Sequence, residues 1–521
     1  MSQDLVLTEF PPVSTLEWEQ AIRKDLKGAS PAQKIFYRAE DAAPGQFPSL
    51  PGGRETNEWS ISEVVRDPGM ALAVLDGGAQ EIRFILGDQD IGQILDALPL
   101  DRCAIHFDAG LRAAELLEAL LGRPQARGSV DYQPLSDCDR AAKLVEQSGV
   151  LADFRAITIG AHRFSDAGST IAQELGLAIA EGVEIMAQLT GRGVAVARAA
   201  AAMAFSFGIG TNYFGEIAKL RAARLLWDRA VESFEAGLAE GAPMRIYART
   251  SHWTATIYGP HMNLLRGTTA AMAAAIGGAD AIEVEPFDST YRRPGELARR
   301  LARNTQIILK REAWLDRVVD PAAGSYYVEV LTDSLAREAW KLLQRVEAAG
   351  GFLEYSATGV LERDIAQART DRRCPLVGTN QYPNLEERAL PRIEREDSAP
   401  RAAIQLEQIR LRTERHAART GHTPRLLLLE RGDPKISKVR CAFAANFFGC
   451  AGFEVRTSET LAGDPDAIVL CSPDAEYASI APLIIEELRA RGKSTPVMAA
   501  GHATDSIEQL RALQERLGIT D

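Results

Sequence analysis

Phe205 to Trp227, FSFGIGTNYFGEIAKLRAARLLW, decides how the chain is read. Ala201 to Phe207 is a mostly apolar run of strand length, and Gly208-Ile209-Gly210 interrupts it where a chain leaving a sheet has to turn. Thr211 or Asn212 then offers a side-chain acceptor to the free N–H groups of a following helix. Phe214, Ile217, Ala218, Leu220, Ala222 and Leu225 recur at helical spacing. Strand, loop and helix in that order are the unit of an α/β protein.

The same alternation extends on both sides. Strands are expected at Glu81–Leu86, Cys103–Phe107, Gly128–Tyr132, Arg155–Ile159, Ala201–Phe207, Met244–Ala248 and Ala281–Glu285, with a last one near Val318–Val328. Eight such units across residues 59–378 predict a (β/α)8 barrel with its chemistry on the loops after the strands. Residues 1–58 hold one amphipathic helix, Thr15 to Lys27, and a stretch rich in Gly and Pro, too poor in apolar residues to fold alone; they read as an arm. Residues 379–424 carry Pro383, Pro391 and Pro400 and a charged segment, Arg401 to Arg419, expected as a long solvated helix in an interdomain linker. From 425 to 521, RLLLLE, FEVRTS, DAIVLCS and TPVMAAG alternate with helices at Ile436–Phe448, Glu476–Arg491 and Ser506–Leu517. That pattern predicts a smaller, flavodoxin-like doubly wound sheet, with no candidate for the fifth strand such a sheet usually carries.

Composition narrows the function. At 521 residues more than one core is expected, and 46% apolar with 25% charged residues is ordinary for a globular protein. A formal charge of −12 without a long basic run speaks against nucleic acid as the main partner. No apolar run approaches the ~20 residues of a membrane span, and MSQDLVLTEFPPVS lacks a signal-peptide core, so a cytoplasmic location is expected. Cys103, Cys138, Cys374, Cys441, Cys450 and Cys471 show no CxxC spacing, and the seven histidines form no HExxH word; reduced thiols and no metal site follow.

Several long words carry a family likeness: GIGTNYFGEIAKLRAARLLW, AMAAAIGGADAIEVEPFD at Ala271–Asp288, LARRLARNTQIIL at Leu297–Leu309, DPAAGSYYVE at Asp320–Glu329 and NFFGCAGFEV at Asn446–Val455. In this order they resemble the methylmalonyl-CoA mutase family. The resemblance implies an N-terminal arm, a (β/α)8 barrel that takes a CoA ester along its axis, a linker and a C-terminal cobalamin-binding domain. It also implies interconversion of methylmalonyl-CoA and succinyl-CoA with adenosylcobalamin, whose radical chemistry belongs to the cofactor.

Carried over residue by residue, the family's site positions are altered. The Asp-x-His-x-x-Gly word that supplies the cobalt-binding histidine falls, with GFEV as anchor, on Lys435, Ser437 and Arg440. Neither serine nor arginine offers a neutral imidazole. The positions that make room for the nucleotide tail correspond to Cys471-Ser472-Pro473 and Ala499-Ala500-Gly501. The tyrosine that presses on the adenosyl group is Val64, in Trp59-Ser60-Ile61-Ser62-Glu63-Val64. The arginine loop that holds the substrate carboxylate has no counterpart after Tyr132, where Arg140 is a poor replacement. With Asp166-Ala167-Gly168 aligned, the histidine that meets the thioester carbonyl becomes Arg163; a one-residue slip puts His162 there instead. Otherwise His162 reads as a loop histidine with a backbone partner. Arg249, Glu283 and Glu285 are expected to point inward, as an ion pair filling a barrel without substrate.

Such a chain keeps the fold and loses the site. The resemblance therefore implies the small, non-catalytic chain of a heterodimeric member, paired with a catalytic large chain that binds acyl-CoA and adenosylcobalamin. Two other readings stand beside it: a substrate-binding chain of a related acyl-CoA mutase that borrows a separate cobalamin subunit, and a free-standing pseudoenzyme that chaperones a mutase.

Overall fold

The computed structural model describes residues 56–238, 243–371, 374–394, 399–500 and 507–519, together with Gln20 and Lys24. The expected arm lies outside the described residues except for Asn57, Glu58 and its neighbours at 56, and for Gln20 and Lys24, which are helical. Nine parallel strands follow: β1 Ser60–Val65, β2 Glu81–Ile85, β3 Ala104–Asp108, β4 Gly128–Val130, β5 Phe154–Arg155, β6 Ile157–Ile159, β7 Met203–Ile209, β8 Ile246–Thr250 and β9 Ala281–Glu283. Their order is β5-β4-β3-β2-β1-β9-β8-β7-β6. Only Ala156 separates the two end strands in sequence, so β5 and β6 are halves of one bent strand and the sheet closes into a (β/α)8 barrel.

The expected strands differ from these at both ends of the barrel. The first strand, SISEVV, was not expected as a strand, because its polar residues mask the apolar run; it pairs with β2 on one side and β9 on the other. Conversely, Val318–Val328 holds no strand: Tyr326 begins a helix that continues to Ala348. The count of eight survives because one strand is gained and one lost. Within the opening stretch, β7 continues through Gly208 to Ile209, and Asn212 caps the helix Tyr213–Phe234 by accepting from the Gly215 N–H at 3.3 Å.

That helix is buried nearly all round, because Tyr326–Ala348 packs across it and across Ile171–Thr190 as an outer layer. Gly182 makes the close approach possible: a Cβ there would stand 2.8 Å from the Trp227 ring and 3.1 Å from Phe205. Phe205 and Trp227 themselves meet edge to face at 4.8 Å.

The charged segment after the barrel forms a helix, Ile404–Thr420, but not a solvated one. Glu407, Arg410 and Glu414 are all buried. Glu407 accepts from the Ile257 N–H, and Glu414 accepts from the Tyr258 hydroxyl and from the N–H groups of Ala389 and Leu390. The Arg410 guanidinium lies 4.0 Å over the Tyr258 ring. Its charges clamp the helix to the barrel loop at 256–259, which is why a charged sequence is dry here. On its other side Gln514 donates to the Ile409 carbonyl at 2.7 Å.

The C-terminal sheet runs β11-β10-β12-β13, from β10 Arg425–Glu430, β11 Glu454–Ser458, β12 Ala467–Cys471 and β13 Val497–Ala499, all parallel. Leu426 to Leu429 face helices on both sides, as a central parallel strand requires. The arrangement is flavodoxin-like.

Candidate functional site

Alternation along the barrel strands turns Glu81 and Arg83 of β2, His106 and Asp108 of β3, Arg249 of β8 and Glu283 of β9 to the interior. Register sets Arg83 beside His106 and Arg249 beside Glu283. Arg83 grips Glu283 with two bonds, 2.6 and 3.0 Å, and reaches Asp108 at 3.0 Å. Arg249 stands 3.7 Å from the same Glu283. Below them His106 bonds Glu81 at 2.6 Å and Ser129 at 2.9 Å, and Arg245 reaches Glu81 at 3.1 Å. Burial alone would raise Glu283, but Arg83 and Arg249 hold it below the ordinary carboxylate value. Asp131 goes the other way: burial, helped by Asp108, pushes it up to about 6 against three arginines.

Above this layer a cavity of about 640 Å³ opens at the C-terminal mouth. Val64, His162, Asp166, Arg249, His252 and Glu285 line it, among others. His162 begins a short helix, His162–Asp166, and its Nε2 accepts from Arg249 at 2.6 Å while Nδ1 is buried without a hydrogen-bond partner. Burial and the charges of Arg249, Arg83 and Arg163 hold its pKa well below the ordinary value, so the ring is neutral with its lone pair committed. Arg163, which the aligned word put in the histidine's place, does not line the cavity; it pairs with Glu181 at 2.7 Å and covers the Phe164 ring. Asp166 accepts from Ser251 and from the His252 N–H. Glu285 bonds His252 at 3.0 Å and not Arg249.

Asp166, His162, His252 and Glu285 are thus each engaged by a neighbour at the mouth. The sequence singled out His162, Arg249, Glu283 and Glu285, and all four gather here. Arg140 does not: it pairs with Glu118 at the surface. Arg83, His106, Asp108 and Asp131 were missed, although a charge in the middle of an apolar strand, as in EIRFI or AIHFD, is the signal of an occupied barrel interior.

Lys435, Ser437 and Arg440 lie in the first turns of the helix Pro434–Cys450, capped by Asp433. Ser437 is buried. The Arg440 guanidinium donates to the Tyr477 hydroxyl and the Ala500 carbonyl, both at 2.9 Å, and pairs with Asp474 at 2.7 Å. Tyr477 also bonds the Leu470 and Ala500 carbonyls, so two large side chains occupy the crevice beyond the ends of β12 and β13. The residues that the resemblance assigns to the cofactor do not fit a cobalamin: Ser437 offers a hydroxyl in place of a neutral imidazole, and Arg440 a guanidinium fixed by three partners. Among the described residues no group of three or more His, Cys, Asp or Glu is arranged to hold a metal ion, and no helix is long and apolar enough to cross a membrane.

Comparison with known proteins gives the ancestry. The family model for methylmalonyl-CoA mutase matches residues 120–426. A protein of Porphyromonas gingivalis named methylmalonyl-CoA mutase small subunit is 33% identical over 99% of this chain and 99% of its own. A protein of the same name from Streptomyces virginiae is 30% identical over 98% of each. A methylmalonyl-CoA mutase of Rhizobium meliloti is 30% identical over 71% of this chain and 56% of its own length.

Proposed function

The chain belongs to the methylmalonyl-CoA mutase family, and from that premise we propose that it is the small, non-catalytic subunit of a heterodimeric, adenosylcobalamin-dependent mutase of the cytoplasm. The catalytic large subunit binds the cofactor and the acyl-CoA, and the complex isomerises methylmalonyl-CoA and succinyl-CoA. The observation that carries this reading is Arg440, anchored to Tyr477 and the Ala500 carbonyl in the crevice where the family's cofactor domain has space. The names of the relatives from Porphyromonas gingivalis and Streptomyces virginiae support the subunit role. Val64 at the cavity and the tied lone pair of His162 support a barrel without catalysis.

The test is cobalamin binding by the purified chain during gel filtration, followed by visible absorbance, alone and then with the large subunit. No cobalamin on the chain alone, with one cobalamin per heterodimer and mutase activity in the mixture, is expected. Stoichiometric cobalamin on the chain alone would overturn the reading.

One observation favours a second reading, in which the chain binds substrate and borrows a separate cobalamin subunit. His162 rather than Arg163 lines an open cavity at the mouth. Turnover by this chain with a cobalamin-loaded subunit that has no barrel of its own would decide for it.

A further inference from the structure

We propose that the barrel mouth is a binding site for a small organic oxyanion, a carboxylate or phosphate ester bearing a hydroxyl group, held by Arg293, Arg299 and Gln306. The cavity of about 640 Å³ falls within the range of pockets that enclose small molecules. One wall is the helix Glu296–Arg311, whose residues 299, 302, 303 and 306 recur at helical spacing and all line the cavity. Of these, Arg303 is committed to Glu63. Gln306 is not: it is 1% exposed, and neither its amide nitrogen nor its oxygen has a hydrogen-bond partner.

A buried carboxamide with both ends open is costly unless something fills them. A hydroxyl can both accept from the amide and donate to its oxygen. Around it arginines outnumber carboxylates by six to five, with Asp67 and Asp166 among the acids. Glu63, Glu283 and Glu285 are engaged by Arg303, Arg83 and His252. Arg293 and Arg299 line the same cavity and take part in no ion pair or hydrogen bond among the described residues. Two guanidinium groups with their N–H donors free, Arg299 acting on Glu63 through its charge alone, suit the planar oxygens of a carboxylate or the face of a phosphate. The inference stands apart from where the cobalamin is bound, since it concerns residues of this barrel alone.

Malate and glycerol 3-phosphate are the probes, titrated calorimetrically into the full chain, with succinate and desulfo-coenzyme A as comparators. Saturable one-to-one binding of one probe is expected: malate if the oxyanion is a carboxylate, glycerol 3-phosphate if it is a phosphate ester. The Arg293→Ala/Arg299→Ala variant should weaken it at least tenfold while leaving the unliganded melting temperature unchanged. Gln306→Leu should abolish any preference for malate over succinate. Silence from both probes, or undiminished binding by the double variant, overturns the proposal. Binding of desulfo-coenzyme A alone also overturns it and returns the cavity to an acyl-CoA.

Discussion

Lys219 Nζ lies 2.6 Å from a carboxylate oxygen of Glu174, with both side chains withdrawn from water. Glu216 stands at the same distance on the other side, and the ammonium also donates to the Gly208 carbonyl. One cation therefore sits between two buried acids and ties the helix Tyr213–Phe234 to β7 and to Ile171–Thr190. Burial raises Glu174 above its ordinary value even though Lys219 opposes the shift. Replacing Lys219 by Met leaves two carboxylates dry and uncompensated, and a loss of about 3–5 kcal/mol is expected in a denaturant titration. Adding Glu174→Gln to that variant should restore part of the loss; no recovery would show that the pair is not what the helix depends on.

Asp131 gives the chain a pH dependence. Its carboxyl ionises near 3.8 when unfolded and is pushed up to about 6 in the fold, mainly by burial. Between those values the folded chain holds a proton that the unfolded chain releases, so its contribution falls as pH rises through the window and is least favourable above 6. The penalty is on the order of 3 kcal/mol at most. Asp131→Asn should therefore raise stability by about 1–2 kcal/mol at pH 8 and change little at pH 4. Equal effects at both values would mean that the carboxyl is not strained by burial.

Arg440→Ala should loosen the second domain without disturbing the barrel. The ion pair with Asp474 contributes little, since that carboxylate is 75% exposed. The bonds to Tyr477 and the Ala500 carbonyl account for a loss of about 1–2 kcal/mol. Hydrogen exchange at Val497–Ala499 should quicken while that of β1 and β9 stays the same.

Deletion of residues 1–50 tests the arm as the element that grips the partner. Weaker assembly with the large subunit is expected, with the helix content of the remaining chain largely kept. Full co-purification of the truncated chain would exclude the arm from the interface.

The words that made the family legible are mostly structural. In GEIAKLRAARLLW, Glu216 and Lys219 form the buried triad with Glu174, Arg221 pairs with Asp320 and Glu329, and Arg224 with Asp280. Asp320 and Glu329 belong in turn to DPAAGSYYVE, and Asp280 to AMAAAIGGADAIEVEPFD. Distant words were linked by ion pairs that the sequence could not display. The alternation of strand and helix was readable because the buried run of β10 is apolar throughout and that of β7 is broken only by Ser206. SISEVV was not, because its residues serve a polar barrel interior, and Val318–Val328 misled because its β-branched and aromatic residues open a helix. At the site, composition marked individual charges but not their partners. Which of His162 and Arg163 faces the cavity depends on the turn after β6, a matter of one residue that no spacing rule resolves.

The bend at Ala156 has a consequence for how the molecule yields. Before it, Phe154 and Arg155 are stitched to β4 by two register pairs; after it, Ile157–Ile159 belong to β7. The cylinder is therefore a continuous ribbon fastened along one short seam. Under force or heat, the opening that needs the fewest hydrogen bonds broken lies between β4 and β5, and it would leave a curved open sheet with its long pairings whole.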